Sequence, residues 1–148
     1  MLYTVGEMAK MLGVPASTLR YYDKEGLLPF VERSSGGMRM FKDADYEWLK
    51  TIQCLKKTGM PLKEIRTFVR MSMEGDGTID QRLEMIQAQR AVVKEQIAEQ
   101  QQILKMLDFK CWYYETANAA GTTEVPRSMP ISRLPEEFRE VRKYLRNE

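Results

Sequence analysis

The sequence predicts a mainly α-helical protein in which several short helices precede one long helix. Residues 1–70 contain short apolar patterns of helical period, punctuated by glycine and proline. The run Ser-Ser-Gly-Gly at 34–37 separates two apolar stretches and indicates one small hairpin. Beyond residue 78, apolar residues recur at alternating steps of four and three, which is the period of a coiled coil.

Composition excludes several classes of protein. The 148 residues suffice for about one domain, and 43% of them are apolar, so the chain is not disordered by composition. We expect neither a membrane span nor a secretion signal, because no long apolar run and no basic leader are visible. Two cysteines make a poor disulfide framework and favour a reducing, cytoplasmic location. Without histidine or a catalytic motif, the protein is not predicted to be an enzyme.

Charge is distributed unevenly along the chain. Residues 1–70 hold 12 Lys and Arg against 8 Asp and Glu, whereas residues 71–148 hold 11 against 13. The excess of positive charge coincides with the tyrosines of the segment STLRYYDKEGLL at 17–28. A surface that binds a phosphate backbone would explain both the basic groups and the aromatic hydroxyls.

The first two helices form a helix-turn-helix candidate. Thr4 and Glu7 have the spacing of a capping box, and an apolar stripe then ends at Gly13. Pro15 opens a second helix that ends at Gly26. Two short helices joined by a tight turn that contains glycine are typical of this motif.

The predicted hairpin leads into two further helices. Asp43 is the predicted cap of the third helix, which Gly59 ends. Pro61 and Leu62 open the fourth helix. The segment MEGDGT at 73–78 then breaks the pattern and predicts a linker.

The long helix is predicted over residues 79–111. Its seam positions are Ile79, Leu83, Ile86, Arg90, Val93, Ile97, Gln100, Leu104, Leu107 and Cys111. The other faces are rich in Gln, Glu and Lys, so the helix cannot bury this seam against itself. A partner helix is required, most economically the same helix of a second chain, which predicts a homodimer.

Residues 112–148 form the predicted tail. Glycine and prolines bar a continuous helix there, and one short helix is expected after Pro135. The predicted domains are therefore 1–72 for the DNA-binding unit, 73–78 for the linker, 79–111 for the dimerisation helix and 112–148 for a short effector or packing tail.

Three segments resemble one known family. YTVGEMAKMLGVPASTLRYYDKEGLL, GGMRMF and LKKTGMPLKEI are similar to the N-terminal domain of the MerR-type transcriptional regulators. The resemblance implies a winged helix-turn-helix and an antiparallel coiled-coil dimer that binds double-stranded promoter DNA. It also implies distortion of an overlong promoter spacer for RNA polymerase, with an effector selecting the more distorted state.

The resemblance also implies residue roles. The implied DNA contacts are Ser17, Thr18, Arg20 and Tyr21 on the recognition helix, Arg39 in the wing, and Lys56 and Lys57 at the end of the third helix. Tyr22 falls within the same motif. For Tyr22, packing under the wing and contact with a phosphate both remain open.

Cysteine usage limits the signal that the protein senses. No histidine or second nearby cysteine completes a metal site, and the residues of an iron–sulfur cluster are missing, so no metal or cofactor is predicted. Cys54 resembles the single cysteine of a branch thought to sense aldehydes or other electrophiles. Nearby lysines would favour its thiolate, whereas core packing is the alternative role.

Cys111 is the competing sensor. It lies on the seam beside Trp112 and Tyr113, which would line a pocket for a small organic effector or seal the end of the coil. A second class of function also remains open at this point. The chain would then be a coiled-coil DNA-architectural or interaction protein that responds to no effector.

Overall fold

The computed structural model describes all residues, 1–148, and is mainly helical. Its helices are α1 (Val5–Leu12), α2 (Ala16–Lys24), α3 (Asp43–Lys57), α4 (Leu62–Glu74), α5 (Ile79–Ala120), α6 (Glu124–Ser128) and α7 (Glu136–Arg146). Its strands are β1 (Leu2–Tyr3), β2 (Glu32–Arg33) and β3 (Arg39–Lys42). The chain forms two compact units, residues 1–93 and 94–148, and the boundary lies within α5.

The predicted ends of the first two helices are confirmed. Thr4 Oγ1 accepts from the backbone N–H of Glu7 at 3.2 Å, and the Glu7 carboxylate accepts from the Thr4 N–H at 2.8 Å. Gly13 ends α1 with φ at 69°, a left-handed conformation that glycine adopts without steric cost. Pro15 is the N-cap of α2. Because the turn between α1 and α2 is this short, the exposed face of α2 has a defined direction relative to α1.

The predicted hairpin is confirmed, and a third strand joins it. The sheet is antiparallel in the order β1-β3-β2, with Arg33 opposite Arg39 and Tyr3 opposite Phe41. Sequence reasoning missed β1, because two residues are too few to show the alternation of a strand. The hairpin projects as a wing beside α2.

The predicted cap of α3 is corrected by the structure. Asp43 is the first helical residue, and its carboxylate accepts from the Tyr3 hydroxyl at 2.8 Å and from the amino group of Met1 at 2.9 Å. Asp45 performs the capping role, since its carboxylate accepts from the Lys42 N–H at 2.8 Å. An acid near the start of a helix can satisfy a free N–H of the first turn. Because the Asp43 carboxylate is bonded to Tyr3 of β1, Asp45 takes this role in α3.

One hydrophobic core holds the first unit together. The fully buried side chains that α1, α2, β3, α3 and α4 contribute include Met8, Leu19, Phe41, Leu49, Ile52 and Ile65. The Arg66 guanidinium also donates from Nε to the Glu25 carbonyl at 2.6 Å, which ties α4 to the end of α2. These contacts fix the recognition helix against the rest of the unit.

The apolar seam of α5 is exposed along the single chain. Leu83 is 52% exposed, Ile97 52%, Leu104 56% and Leu107 51%. By contrast, Met85 packs against the core of the first unit. Apolar side chains of this size at coiled-coil spacing require a partner helix, and the chain itself supplies none.

The long helix extends beyond its predicted end. It begins at Ile79, as the seam pattern predicts, but continues through residue 111 to Ala120. No glycine or proline interrupts residues 112–120, and Gly121 then stops the helix with φ at 75°. The stretch that reads as loose is therefore helical in its first nine residues.

The second unit packs α7 against the end of α5. Phe109, Ala117, Pro126 and Leu134 form its buried core. Phe138 on α7 contacts the Phe109 and Trp112 rings, each at 5.8 Å between centroids. The short helix predicted after Pro135 is thus confirmed.

Three arginines of α7 hold the preceding loop. Arg139 donates to the Leu134 and Ser132 carbonyls, Arg142 to the Met129 carbonyl, and Arg146 to the Arg127 carbonyl. Arg142 is buried, and its Nε is left without a partner. The loop is therefore held by hydrogen bonds from arginine side chains to its backbone carbonyls as well as by apolar contact.

None of the helices has the length and apolar character that crossing a membrane requires.

Candidate nucleic-acid interface

Helix α2 presents a polar face to solvent. Leu19 and Tyr22 point into the core, and Tyr22 is only 3% exposed. Ser17, Arg20 and Tyr21 are exposed, and Thr18 is half-buried. Helical periodicity thus separates the predicted contact residues from those that anchor the helix.

Lys56 joins the end of α3 to this face. Its ammonium lies 5.3 Å from the centroid of the Tyr21 ring and 5.2 Å from that of Tyr22. A cation over an aromatic face at this distance is attracted by the ring quadrupole, by about 0.5–1 kcal/mol at an exposed site. Tyr21 is 43% exposed, so the pair forms an accessible cationic surface.

The burial of Tyr22 supports the first of its two open roles, packing. Its ring lies in the hydrophobic core, and burial raises the pKa of its phenol above the ordinary value. The neighbouring Tyr21 ring is 6.3 Å away between centroids. Tyr22 therefore supports Tyr21 and Lys56 from below.

Asp23 ties the wing to α2. Its carboxylate accepts from Nε of Arg39 at 2.7 Å and from Nη2 of Arg33 at 2.8 Å. Arg33 also donates to the carbonyl of Gly37 at the hairpin turn, at 3.0 Å. Two arginines directly opposite each other on neighbouring strands repel, and the carboxylate between them offsets that repulsion. Both Nη groups of Arg39 are left without a hydrogen-bond partner in the chain and can reach another acceptor.

Sequence reasoning missed Arg33 and Asp23. The signal for Arg33 lies in the predicted hairpin itself, since pairing across its turn places Arg33 opposite Arg39. Asp23 lacks such a signal, because an aspartate in a basic segment looks like an ordinary solvated charge. Lys57 is exposed and makes no contact with the tyrosines.

Cys54 lies on an exposed part of α3. Its backbone carbonyl accepts from the N–H of Thr58 at 3.2 Å, in the same turn that contains Lys56. The thiol therefore does not pack in the core of the single chain. An adduct on Cys54 would form next to the turn that supports the cationic surface.

A groove in the second unit contains Cys111 and Trp112. Helix α5 and helix α7 line it with apolar side chains and with carboxylates such as Glu137 and Glu140. Trp112 stacks on Phe109 at 6.0 Å and 23°, and Tyr113 contacts Phe109 at 6.3 Å. Trp112 thus lines the groove, whereas Tyr113 packs on Phe109 and is not part of the groove lining. None of the acidic residues and cysteines of the chain cluster as metal ligands.

The helix-turn-helix, its wing and this cationic surface define the class of protein: a DNA-binding transcriptional regulator. Two family profiles agree with that class. The profile described as MerR HTH family regulatory protein matches residues 3–72, and the profile described as MerR, DNA binding matches residues 46–108.

Similar proteins cover almost the whole chain. An uncharacterized HTH-type transcriptional regulator of Haemophilus influenzae is 43% identical over 136 residues, which is 92% of this chain and 98% of the relative. The crystal structure of HiNmlR, described as a MerR family regulator lacking the sensor domain, bound to promoter DNA, is 46% identical with a TM-score of 0.76. That match covers 84% of this chain and 98% of HiNmlR.

A third relative is a MerR family transcriptional regulator from Bacillus thuringiensis. It is 43% identical with a TM-score of 0.70, over 75% of this chain and 97% of that protein. The present chain belongs to the MerR family. Members of this family are transcriptional regulators and not enzymes, which confirms the predicted family and the predicted lack of catalytic function.

Proposed function

We propose that the protein binds double-stranded promoter DNA through the exposed face of α2 and the wing. The observation that carries the proposal is the junction of Lys56, Tyr21 and the Arg39–Asp23 pair, which brings three elements into one cationic surface. Ser17, Thr18 and Arg20 would meet the major groove, with Arg39, Lys56 and Lys57 on flanking phosphates. The binding of promoter DNA by HiNmlR supports this assignment.

The binding species is proposed to be a homodimer. Exposure of the seam residues on α5 supports a second copy as the partner, because an identical helix supplies the complementary seam. An antiparallel coiled coil would hold two recognition helices at a set separation. Two half-sites in the promoter would then match the symmetry of the dimer.

Regulation is proposed to act through the shape of the DNA. A dimer with fixed half-site separation can hold an overlong spacer in a bent and untwisted form that RNA polymerase uses. Contacts between protein and phosphates offset the cost of deformation, which is about 1–6 kcal/mol for a bend of this class. An effector that binds the distorted state better would shift the population toward it.

The effector is proposed to be an electrophile or a small organic molecule. The exposure of Cys54 beside the Lys56 turn supports modification of the thiol. The groove that Cys111 and Trp112 help to line supports the second kind of effector.

Transcription from matched promoters tests the proposal. Templates with a normal and an overlong spacer, the protein and purified RNA polymerase would be combined with and without an aldehyde. We expect a footprint at the promoter and a change in transcription confined to the overlong spacer. Equal affinity for unrelated DNA, with no effect of the aldehyde, would instead support a DNA-architectural protein without an effector.

Alkylation rates separate the two thiols. Peptide mass spectrometry on the folded protein would follow the modification of Cys54 and Cys111 against pH. If Cys54 is the sensor, it reacts faster than Cys111, and Cys54→Ser abolishes the response. A response that survives Cys54→Ser would move the effector to the groove.

A further inference from the structure

A side-chain hydrogen bond joins α5 to the end of α3 within the first unit. Nε2 of Gln89 lies 2.6 Å from Oγ1 of Thr58 and 3.5 Å from its carbonyl oxygen. Both residues are half-buried, so water competes less for this bond than at an open surface.

Thr58 in turn closes the last turn of α3. Its hydroxyl donates to the carbonyl of Leu55 at 2.5 Å, and its N–H bonds to the Cys54 and Leu55 carbonyls, each at 3.2 Å. The hydroxyl thus accepts from Gln89 while it donates to α3. Gln89 therefore bonds to the residue that closes this turn.

The same turn contains Lys56. Its ammonium lies over the rings of Tyr21 and Tyr22, so a shift of the turn moves a cation relative to the recognition helix. An unbroken set of contacts consequently leads from Gln89 through Thr58 and Lys56 to the exposed Tyr21.

Gln89 also lies beside the seam of α5. It follows Ile86 by three residues and precedes Val93 by four, and residues at these separations are neighbours on a helix surface. Any change in how the seam packs would rotate or slide Gln89. Its bond to Thr58 would lengthen or shorten accordingly.

We propose that Gln89 is a positioning residue for DNA binding, which couples the packing of the α5 seam to the placement of Lys56. This inference rests on the proposed binding of promoter DNA. Gln89 acts through Thr58 and makes no contact with DNA itself. The coupling gives the dimerisation helix a direct means of altering the cationic surface.

The test measures promoter affinity as a function of salt for Gln89→Leu, which keeps the size of the side chain and removes the amide. Gln81→Leu, at an exposed position of α5 away from the seam, is the matched control. Thr58→Val and Thr58→Ser form a second pair, in which only serine keeps the hydroxyl. Sedimentation and urea unfolding would establish that each variant is a folded dimer.

We expect Gln89→Leu and Thr58→Val to bind about two- to tenfold more weakly, the effect of one lost hydrogen bond. The slope of log K against log salt should fall by up to about 0.9 per protomer as Lys56 leaves its phosphate. Gln81→Leu and Thr58→Ser should match the wild type. In a Lys56→Ala background, Gln89→Leu should cost nothing further.

Two binding outcomes, and the loss of stability described last, would each overturn the inference alone. In the first, the wild type binds the promoter and Gln89→Leu leaves both affinity and salt slope unchanged. In the second, the effects of Gln89→Leu and Lys56→Ala simply add, which would show that the two residues act independently. A wild-type protein with no preference for promoter DNA would overturn the proposed function as well. Loss of stability without a change of slope would assign Gln89 a structural role.

Discussion

At the scale of single residues, Asp23 organises the candidate interface by pairing with both arginines of the wing. The Asp23 side chain is 19% exposed and pairs with both wing arginines. Its negative charge therefore determines where the two guanidinium groups lie. Asp23 thereby holds the Arg39 guanidinium through its Nε. An arginine side chain that is already ordered loses less conformational entropy on binding a phosphate than a mobile side chain does.

Asp23→Asn distinguishes two effects of Asp23 on DNA binding: the positioning of the wing arginines and the net charge of the surface. Removing a negative charge from a DNA-binding surface would strengthen binding if only net charge mattered. We expect weaker promoter binding, because Arg33 and Arg39 would repel and the wing would lose its tie to α2. The free energy of unfolding should also fall by about 1–2 kcal/mol. Urea unfolding and promoter titration measure both quantities, with Glu47→Gln on α3 as the charge-matched control.

Arg39→Ala tests the wing contact itself. We expect weaker promoter binding and a salt slope smaller by about 0.9 per protomer, the value for one phosphate. Titration of promoter DNA at several salt concentrations measures both. An unchanged slope would remove Arg39 from the DNA contacts. Lys94→Ala, an exposed lysine of α5, is the control that changes net charge equally.

At the scale of elements, short segments act by bridging longer ones. β1 has only two residues, yet Tyr3 reaches the start of α3 through Asp43. α7 similarly covers the end of α5 through Phe138. Each bridge depends on a side chain whose partner is distant in the sequence.

The Tyr3–Asp43 bond predicts a pH dependence. The hydrogen bond to the Asp43 carboxylate raises the pKa of Tyr3, since the bond requires the protonated phenol. The contribution of this group to stability is therefore present below the ordinary phenol pKa of about 10 and is lost as pH rises through the raised value. Unfolding of wild type and Tyr3→Phe in urea from about pH 8 to pH 11 should show a difference that shrinks with pH. A constant difference would contradict the prediction.

Phe138→Ala tests the docking of α7. The ring is half-buried between Phe109 and Trp112, and its removal should destabilise the second unit by about 2 kcal/mol. Hydrogen exchange read by mass spectrometry should then be faster across residues 121–146, with residues 1–70 unaffected. Tyr144→Ala is the control, because that ring is 84% exposed. Equal exchange in both variants would show that α7 is held by its arginines alone.

At the scale of the whole molecule, we propose that the exposed seam of α5 determines assembly. Its apolar residues lie at regular spacing on both sides of residue 93, where the two compact units divide. A single chain leaves that seam in water. Each chain has one recognition helix. We therefore propose that the complete regulator is a dimer, which presents two recognition helices to one promoter.

Ile97→Asp should dissociate the dimer. The substitution places a carboxylate from each chain into a desolvated seam, where an unpaired charge is costly. Sedimentation velocity would report a monomer, and promoter binding would weaken with it. Ala98→Asp adds the same charge at an exposed position one residue away from the seam, and this variant should stay dimeric. A dimer in both variants would mean that the interface lies elsewhere on the molecule.

The sequence by itself determined the family, the short helices of the first unit and the seam of α5. These features depend on local chemistry: a capping box at Thr4, glycine where the backbone turns left-handed at Gly13, and a repeated spacing of apolar residues. Such signals lie within a few residues of one another, so the order of residues records them directly. The predicted end of α5 was wrong because the seam pattern stops at Cys111, although the first helix breaker, Gly121, comes only after residue 120.

Only the tertiary structure decided which charges meet. Asp45 and not Asp43 caps α3, Asp23 binds Arg33 and Arg39, and Lys56 lies over Tyr21. Long polar side chains have many rotamers, and their partners depend on backbone segments that folding brings together from distant positions. Apolar periodicity specifies a face of a helix, whereas a hydrogen bond or an ion pair needs a direction and a distance that only the folded chain supplies.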